Sequence, residues 1–578
     1  MSRYPTSGIV LIGLACQLSV TIPALAQPPV PATHERLSAE DATRLTWRID
    51  TRAQGIAALQ AIVSDAPEDT NARFELGRVL TWNVRTRAEG IAQLRHVLEQ
   101  APQRNDAAET LADVLSWDSH TRTEAIQRLR TLLEDEPMRT SARLKLAEIL
   151  AWNPGTRDES HSLYLRVLRD DPQSVDAAVG LGRLLSWSGR ARASLKMLSS
   201  APAGAIATPD AFRVRAQAYA DIGRPARALE QYERLLAVDP ANEAALQDSR
   251  RVRRGLRPSL EMATEASTES GDPASTRVEW SSVPLRVAFH PTGGDLELSV
   301  TGAQAWYRNG TGSSRDRFAG AGLDTPIGNR VRLRGDVVSH EFDRAGQTLT
   351  GRSQFQVAVY DGYEVRLGVS REQLFSSRLS LAGEQFGDTF YGPSFVNHII
   401  VGGSARPGGG WDVWAQGTAG QIRGENIANN SRQEVFAGVG RSFHAGVVTM
   451  RPGYSLNWMS YDLDLGGFPS NSPGDGVNAP GIGGYFSPLR FLNQMARLDA
   501  TVQVGGSFSI FGGAGVGRQQ LEDSISRDFS HRTGSSDGYL GIRLRAGERV
   551  SIRTQANYQD VASAFNHLVV QLSVTYGF

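Results

Sequence analysis

The sequence predicts an α + β multidomain chain: an N-terminal α-solenoid of helical repeats, then a 16-stranded antiparallel transmembrane β-barrel. Three observations carry this. Trp47, Trp82, Trp117, Trp152 and Trp187 recur every 35 residues. Composition changes near Arg250–Pro258, from Ala, Leu and Arg before it to Gly, Ser, Val and aromatics after it. The last residues alternate strictly, with Val570, Leu572, Val574, Tyr576 and Phe578 set against Gln571, Ser573, Thr575 and Gly577.

Charge and cysteine content narrow the function classes. Of 578 residues, 61 are Lys or Arg and 61 are Asp or Glu, so no basic excess exists for phosphate-backbone binding and no nucleic-acid partner is expected. A single cysteine excludes disulfide scaffolds and cysteine metal sites. No metal and no cofactor are expected. Glycine, at 59 residues, is over-represented.

Residues 1–26 read as a cleaved secretory signal. Arg3 gives a weakly basic start, Ile9–Ala15 is largely apolar, and Ala24-Leu25-Ala26 is a small-residue cleavage site. Cleavage there removes Cys16. Its context, Gly13-Leu14-Ala15-Cys16, lacks the leucine usual three positions before a lipid-modified cysteine.

Residues 35–254 form the repeat array. The tryptophan column is kept in register by Pro67, Pro102, Pro137 and Pro172, and by Leu76, Leu111, Leu146 and Leu181. Small residues stand at two further columns, Gly77/Ala112/Ala147/Gly182 and Gly55/Gly90/Ala125/Ser160, where helices must approach closely. Each unit reads as two helices, such as Ala72–Trp82 and Ala88–Glu99, with the proline closing the second. About six units and a polar closing helix near Asn242–Arg254 result. The pattern resembles the tetratricopeptide (TPR) repeat, most nearly over Ala218–Ala228, Tyr232 and Asp239-Pro240, although the first four units carry a turn two residues longer. Each tryptophan is expected to pack between neighbouring repeats rather than to stack on sugars, and the array suits scaffolding and partner capture.

Residues 255–258 link the array to the barrel, residues 259–578. Working back from the terminus, tight turns at Ala546-Gly547-Glu548, Gly505-Gly506, His444-Ala445-Gly446, Pro407–Gly410 and Asp361-Gly362 join strands into hairpins. Thr325–Asn329 and Pro291–Gly294 continue the series. Long polar loops are expected between them at 308–315, 342–350, 374–396, 423–432, 463–491 and 520–536. Short turns at one end and long loops at the other are the outer-membrane arrangement, and sixteen strands from Leu260 put both barrel ends in the periplasm with the repeats. The C-terminal alternation also resembles the aromatic-ended signal read by the outer-membrane barrel assembly machinery, which becomes an expected partner alongside outer-membrane lipid.

Alternation assigns faces. Val331, Leu333, Val365, Leu367, Leu498, Ile542 and Leu544 should face lipid. Arg332, Arg334, Asp336, Glu364, Arg366, Arg497, Asp499, Arg543 and Arg545 should then line a wet lumen, since a charge facing mid-bilayer lipid costs roughly 2–4 kcal/mol.

Gly483-Gly484-Tyr485-Phe486-Ser487-Pro488-Leu489-Arg490-Phe491 closes the longest predicted loop, and with the repeats-plus-barrel plan it resembles the cellulose synthase operon protein C family. That resemblance implies a periplasmic TPR domain before a barrel that exports cellulose, though the family carries many more repeats. Tyr485, Phe486 and Phe491, with Phe386, Phe390 and Tyr391, are the expected external-loop contacts for polysaccharide, because aromatic faces pack on pyranose rings. The expected function is an outer-membrane porin exporting an exopolysaccharide, foremost a β-1,4-glucan. The repeats would engage an inner-membrane synthase complex or peptidoglycan. Export of another polymer such as poly-N-acetylglucosamine is the nearest alternative. An enzyme acting on lipid or polysaccharide is another, but His340, His444, His531 and His567 are scattered and show no partner spacing for catalysis.

Overall fold

The computed structural model describes residues 37–201, 207–271, 278–310, 312–469, 481–525, 527–530, 532–561 and 565–578. The expected signal segment, 1–26, lies outside them. The chain divides into two compact units, Met1–Pro137 and Met138–Phe578.

The first unit is three helix pairs: α1 (Ala39–Thr46) with α2 (Arg52–Asp65), α3 (Thr70–Leu80) with α4 (Arg87–Gln100), and α5 (Asn105–Ser116) with α6 (Arg122–Asp135). The small-residue column does what its spacing implies. A Cβ on Gly55 would lie 2.7 Å from the Ala42 carbonyl, and one on Gly90 would lie 2.7 Å from the Gly77 carbonyl. In the second unit Ser160 holds this column, and Ser194, one residue short of the 35-residue spacing, takes the equivalent place. Their hydroxyls donate to the Ala147 and Gly182 carbonyls at 2.6 and 2.7 Å, which turns the close approach into a hydrogen bond.

The longer turn of the early units has its own device. Thr51, Thr86, Thr121 and Thr156 each donate a hydroxyl to the carbonyl six residues earlier, at 2.6–2.8 Å. The following arginines Arg52, Arg87, Arg122 and Arg157 donate Nε to the next carbonyl along that same helix end. Carbonyls that a helix end leaves unpaired are thus satisfied. The fifth and sixth pairs use a shorter turn in which Gly189 (φ 72°) and Gly223 (φ 74°) take the left-handed conformation.

The tryptophan column differs from expectation. Trp47 remains 60 % exposed and Trp117 46 % exposed. Trp47 and Trp82 touch, with centroids 5.7 Å apart, and arginines lie over the rings. Arg78 lies over both Trp47 (4.7 Å) and Trp82 (5.4 Å), and Arg87 over Trp117 (4.9 Å). The apolar volume between helices is filled instead by the leucine and small-residue columns, with Leu59, Leu76, Leu94, Leu111 and Leu129 buried. The tryptophans are left to cation–π contacts at the surface.

The second unit continues with three helix pairs: α7 (Thr140–Ala151) with α8 (Arg157–Asp170), α9 (Val175–Trp187) with α10 (Ala191–Ser199), and α11 (Pro209–Asp221) with α12 (Pro225–Val238). A closing helix α13 (Glu243–Gly255) follows. The barrel begins three residues later. Its strands are β1 (Ser259–Gly271), β2 (Glu279–Ser282 with Leu285–Phe289), β3 (Glu297–Asn309), β4 (Gly312–Ile327), β5 (Val331–Phe342), β6 (Gly346–Tyr360), β7 (Tyr363–Gln373) and β8 (Ser394–Gly408). They continue as β9 (Trp411–Gly424), β10 (Ile427–Arg441 with Phe443–Ala445), β11 (Val448–Tyr461), β12 (Arg490–Val504), β13 (Phe508–Glu522), β14 (Arg532–Ala546), β15 (Val550–Val561) and β16 (Phe565–Gly577). β2 is interrupted at Val283-Pro284, where the proline has no N–H for the ladder. Every neighbouring pair is antiparallel, and β1 pairs with β16 along thirteen residues from Ser259↔Gly577 to Gly271↔Phe565, which closes the cylinder and leaves no edge. No described helix is long and apolar enough to cross a membrane. The strands do so, which makes this an outer-membrane protein.

The tight turns fall within two or three residues of where the sequence puts them, with His444, Ala445, Pro407 and Thr325 still in strand, but the opposite end differs. Among the described residues two connections are long, 374–393 and the one from Tyr461 to Arg490, with a shorter one from Glu522 to Arg532. The segments expected as loops near 310, 344 and 425 are strand almost throughout, linked by 310–311, 343–345 and 425–426. The cause is height. A strand of about 15 residues tilted by about 40° rises roughly 38 Å, well beyond an apolar band of about 25 Å, so its outer third is polar without being loop.

Candidate functional site

The lumen is built from inward residues of every strand, and glycines shape it. Trp414 pairs with Gly438, Tyr539 with Gly513 and Phe511 with Gly541. Each ring lies directly over its glycine, where any Cβ would collide with it. The glycines thus let aromatic rings lie flat against the wall. Trp414 also contacts Phe436 (centroids 4.4 Å), and Arg543 and Arg553 flank Phe511 at 5.6 and 5.1 Å.

Trp414, Phe436 and Tyr539 line a luminal cleft of about 510 Å³ together with the neutral amides of Gln416, Asn457, Asn493 and Asn557. Arg451 and Arg497 enter the same cleft. Arg451 pairs with Asp412 and with Asp499 (3.2 Å), Arg497 pairs with Asp537, and the Tyr539 hydroxyl donates to Asp499 at 3.0 Å. The charges neutralise one another across strands and leave amides, hydroxyls and ring faces for a guest. An uncharged carbohydrate needs just those groups.

Some of the other predicted lumen charges also meet opposite charges, whereas Arg366, Arg543 and Arg545 form no ion pair among the described residues. Arg332 and Arg334 (3.0 Å) share Asp324. Asp336 lies opposite Arg352, which pairs with Glu372. Glu364 accepts from Gln356 at 2.6 Å, whereas Arg366 is half-buried beside it in the ladder. Arg545 is exposed near the short-turn end. Alternation alone did not supply Asp324, Asp412, Arg451 or Asp537, nor the ring–glycine pairs. Those depend on cross-strand register, which no single strand encodes.

The long connections fold over the mouth opposite the short turns. Helix α14 (Arg378–Ala382) starts from a capping box at Ser377, whose hydroxyl also bonds the Gly484 carbonyl. Arg378 and Glu384 form a buried ion pair. Leu379, Leu465 and Tyr485 pack with inward wall residues including Val396, Ile422, Tyr461 and Phe491 into a closed apolar cluster. Tyr485 (2 % exposed) and Phe491 (3 %) therefore have their ring faces occupied by protein. Burial pushes the Tyr485 phenol above its ordinary value, and its hydroxyl meets Asn430 at 3.2 Å. Phe486, Phe386 and Tyr391 flank the cluster, half-buried, and Phe390 is half-buried against Gly383. Between this plug and the wall a smaller cavity of about 220 Å³, lined by Trp280, Phe375, Phe486 and Gln559, abuts the luminal cleft through shared Asn457 and Asn493.

At the short-turn mouth the repeats seat on the barrel. Helices α10 and α12 begin at Arg190 and Arg224, whose side chains provide no cap. Barrel turns supply the missing acceptors. Asp361 accepts from the backbone N–H of Arg192 (3.0 Å) and Ala193 (2.9 Å), and Asp295 from Ala226 N–H (2.7 Å) and Arg224 Nε (3.0 Å). Beside this seam a cavity of about 660 Å³ joins Arg192, Asp221 and Arg330 to the inward Arg332, Arg334 and Glu364. Burial raises the Asp221 carboxyl above its usual range. Among the described residues no group of three His, Cys, Asp or Glu is placed to hold a metal.

Residues 279–562 match the family described as cellulose synthase operon protein C C-terminus. No curated protein matches the chain. Among solved structures, one described as a bacterial polysaccharide outer membrane secretin covers 56% of this chain and 99% of its own at 12% identity, with a TM-score of 0.40. A tetratricopeptide repeat protein from Parabacteroides merdae covers 38% and 86% at 13% identity, TM-score 0.34, and a thermophilic TPR protein from Thermus thermophilus covers 32% and 98% at 18% identity, TM-score 0.29.

Proposed function

The barrel, through residues 279–562, matches the cellulose synthase operon protein C C-terminus family, and from that premise we propose that the protein is a passive exporter of a β-1,4-glucan across the outer membrane. The luminal cleft carries this reading: rings laid flat over glycines, neutral amides between them, and charges already paired with one another. A neutral sugar chain can exchange its hydration for those amides and slide along those rings, with no site deep enough to hold it. The repeats stand on the periplasmic side, hold the chain's entry close to the pore through Asp361 and Asp295, and reach the synthesis machinery or the cell wall with their free end. No residue is assigned a covalent step.

The test is a strain in which the gene is deleted and then complemented. Deletion is expected to abolish polymer at the cell surface while glucan synthesis by isolated membranes continues, and the intact gene restores secretion. Complementation with Trp414→Ala plus Tyr539→Ala is expected to lower secretion severalfold at unchanged barrel abundance. Normal secretion in the deletion strain would overturn the proposal.

A further inference from the structure

The outer wall of β7–β9 carries a feature that export does not use. Val365, Leu367 and Val369 on β7 and Ile399 and Val401 on β8 face outward and are exposed, which marks the lipid-facing surface. The next outward residue up β7 is Arg371, paired across the ladder with Asn397, which in turn opposes Gln421 on β9. Arg423, two residues beyond Gln421 on the same face, lies diagonal to Arg371 across β8. Two guanidinium groups thus sit together at the upper edge of the apolar band, on the side of the long connections.

Neither has a carboxylate among the described residues. Arg371 donates Nη1 to the Asn397 amide oxygen (3.0 Å) and Nε to the Leu349 carbonyl (2.8 Å), and its guanidinium lies 4.7 Å over Phe395. Arg423 donates one Nη to the Gln421 amide oxygen at 3.1 Å. Both arginines of the luminal cleft, Arg451 and Arg497, are neutralised by aspartates, whereas this outward pair is held by neutral amides. Amide tethers fix the forks without discharging them, which is how a positive site is kept ready for an anion.

We propose that Arg371 and Arg423, with Asn397 and Gln421 between them, bind a phosphate monoester on the headgroup of an outer-leaflet glycolipid whose acyl chains lie against Val369, Ile399 and Val401. Height and chemistry agree: a phosphorylated amphiphile places its anion at the rim and its chains on the apolar wall immediately below. The inference rests on the orientation in which the long connections face outward, but its test in detergent does not need that orientation. Its failure would leave the export reading standing.

The experiment is native mass spectrometry of the full mature chain in detergent with bisphosphorylated lipid A as probe. Adducts are expected with lipid A, and loss of both phosphates from the lipid or the double change Arg371→Gln plus Arg423→Gln should each weaken binding by roughly tenfold or more. Arg423→Gln alone, at an exposed position, should lower binding several-fold with unchanged heat-modifiable migration, so a folding defect at Arg371 cannot explain the result. Arg423→Lys should recover part of the loss. Equal binding by the variants, equal binding of the dephosphorylated lipid, or displacement of lipid A by inorganic phosphate at the same concentration would each overturn the assignment.

Discussion

Replacing Asp361 and Asp295 by alanine should release the repeats from the barrel without unfolding either. Each carboxylate is nearly buried and caps a helix that has no cap of its own: Asp361 takes two backbone N–H groups at the start of α10, and Asp295 takes one at the start of α12 plus the Arg224 Nε. Losing a helix cap costs about 1 kcal/mol, and the charge on the acceptor roughly doubles it, giving about 2 kcal/mol per aspartate. That is about 30-fold in the docking equilibrium for one site and about 1,000-fold for both. Hydrogen exchange on the whole protein in detergent reads this directly. The first-turn amides of α10 and α12, those of Arg192, Ala193 and Ala226 included, should lose protection by these factors, while amides of α3 and α5 in the first unit stay unchanged. Asp361→Asn should cost far less than Asp361→Ala, because an amide oxygen still caps. Undiminished protection in the double alanine variant, with the barrel still heat-modifiable, would refute the idea that barrel turns cap the repeat helices.

Three further outcomes are expected. Gly90→Val should destabilise the repeats by roughly 1–3 kcal/mol in urea titrations followed by tryptophan fluorescence, because its Cβ meets the Gly77 carbonyl at 2.7 Å and Thr81 N at 2.9 Å, and a result within error of wild type would contradict the packing. His161 is held below its ordinary value of 6.5, first by burial and then by Arg190. The folded state therefore favours the neutral ring, so stability is complete above about pH 6.5 and declines as pH falls through the depressed folded value; His161→Gln should flatten that decline in melts between pH 7.5 and 5. Deleting residues 376–391 should raise single-channel conductance in planar bilayers, since α14 and Tyr485 fill the mouth opposite the short turns, and an unchanged conductance would mean that water passes elsewhere.

The local periodicities were legible without coordinates. A 35-residue period fixed helix pairs to within two or three residues, because leucine, proline and small-residue columns each serve one local purpose: burial, termination or close approach. Period-two alternation marked the strands, because lipid on one side and water on the other leave a strand one acceptable face. A Thr-Arg column, Thr51-Arg52 to Thr156-Arg157, stood in the same register and could have been found by the same means.

What sequence could not decide was anything set by two segments meeting. Polar strand tops at 308–315 and 423–432 look like loops because polarity reports height above the membrane and not backbone conformation. Trp414 over Gly438, Arg451 between Asp412 and Asp499, and Tyr485 within the plug all depend on register across strands or on two distant connections folding together. Side-chain alternation is blind to how far one strand slides past the next, so the chain by itself determined a repeat array and a closed cylinder with a polar bore. Only tertiary pairing decided which rings face that bore, which charges cancel within it, and which aromatic residues close its mouth.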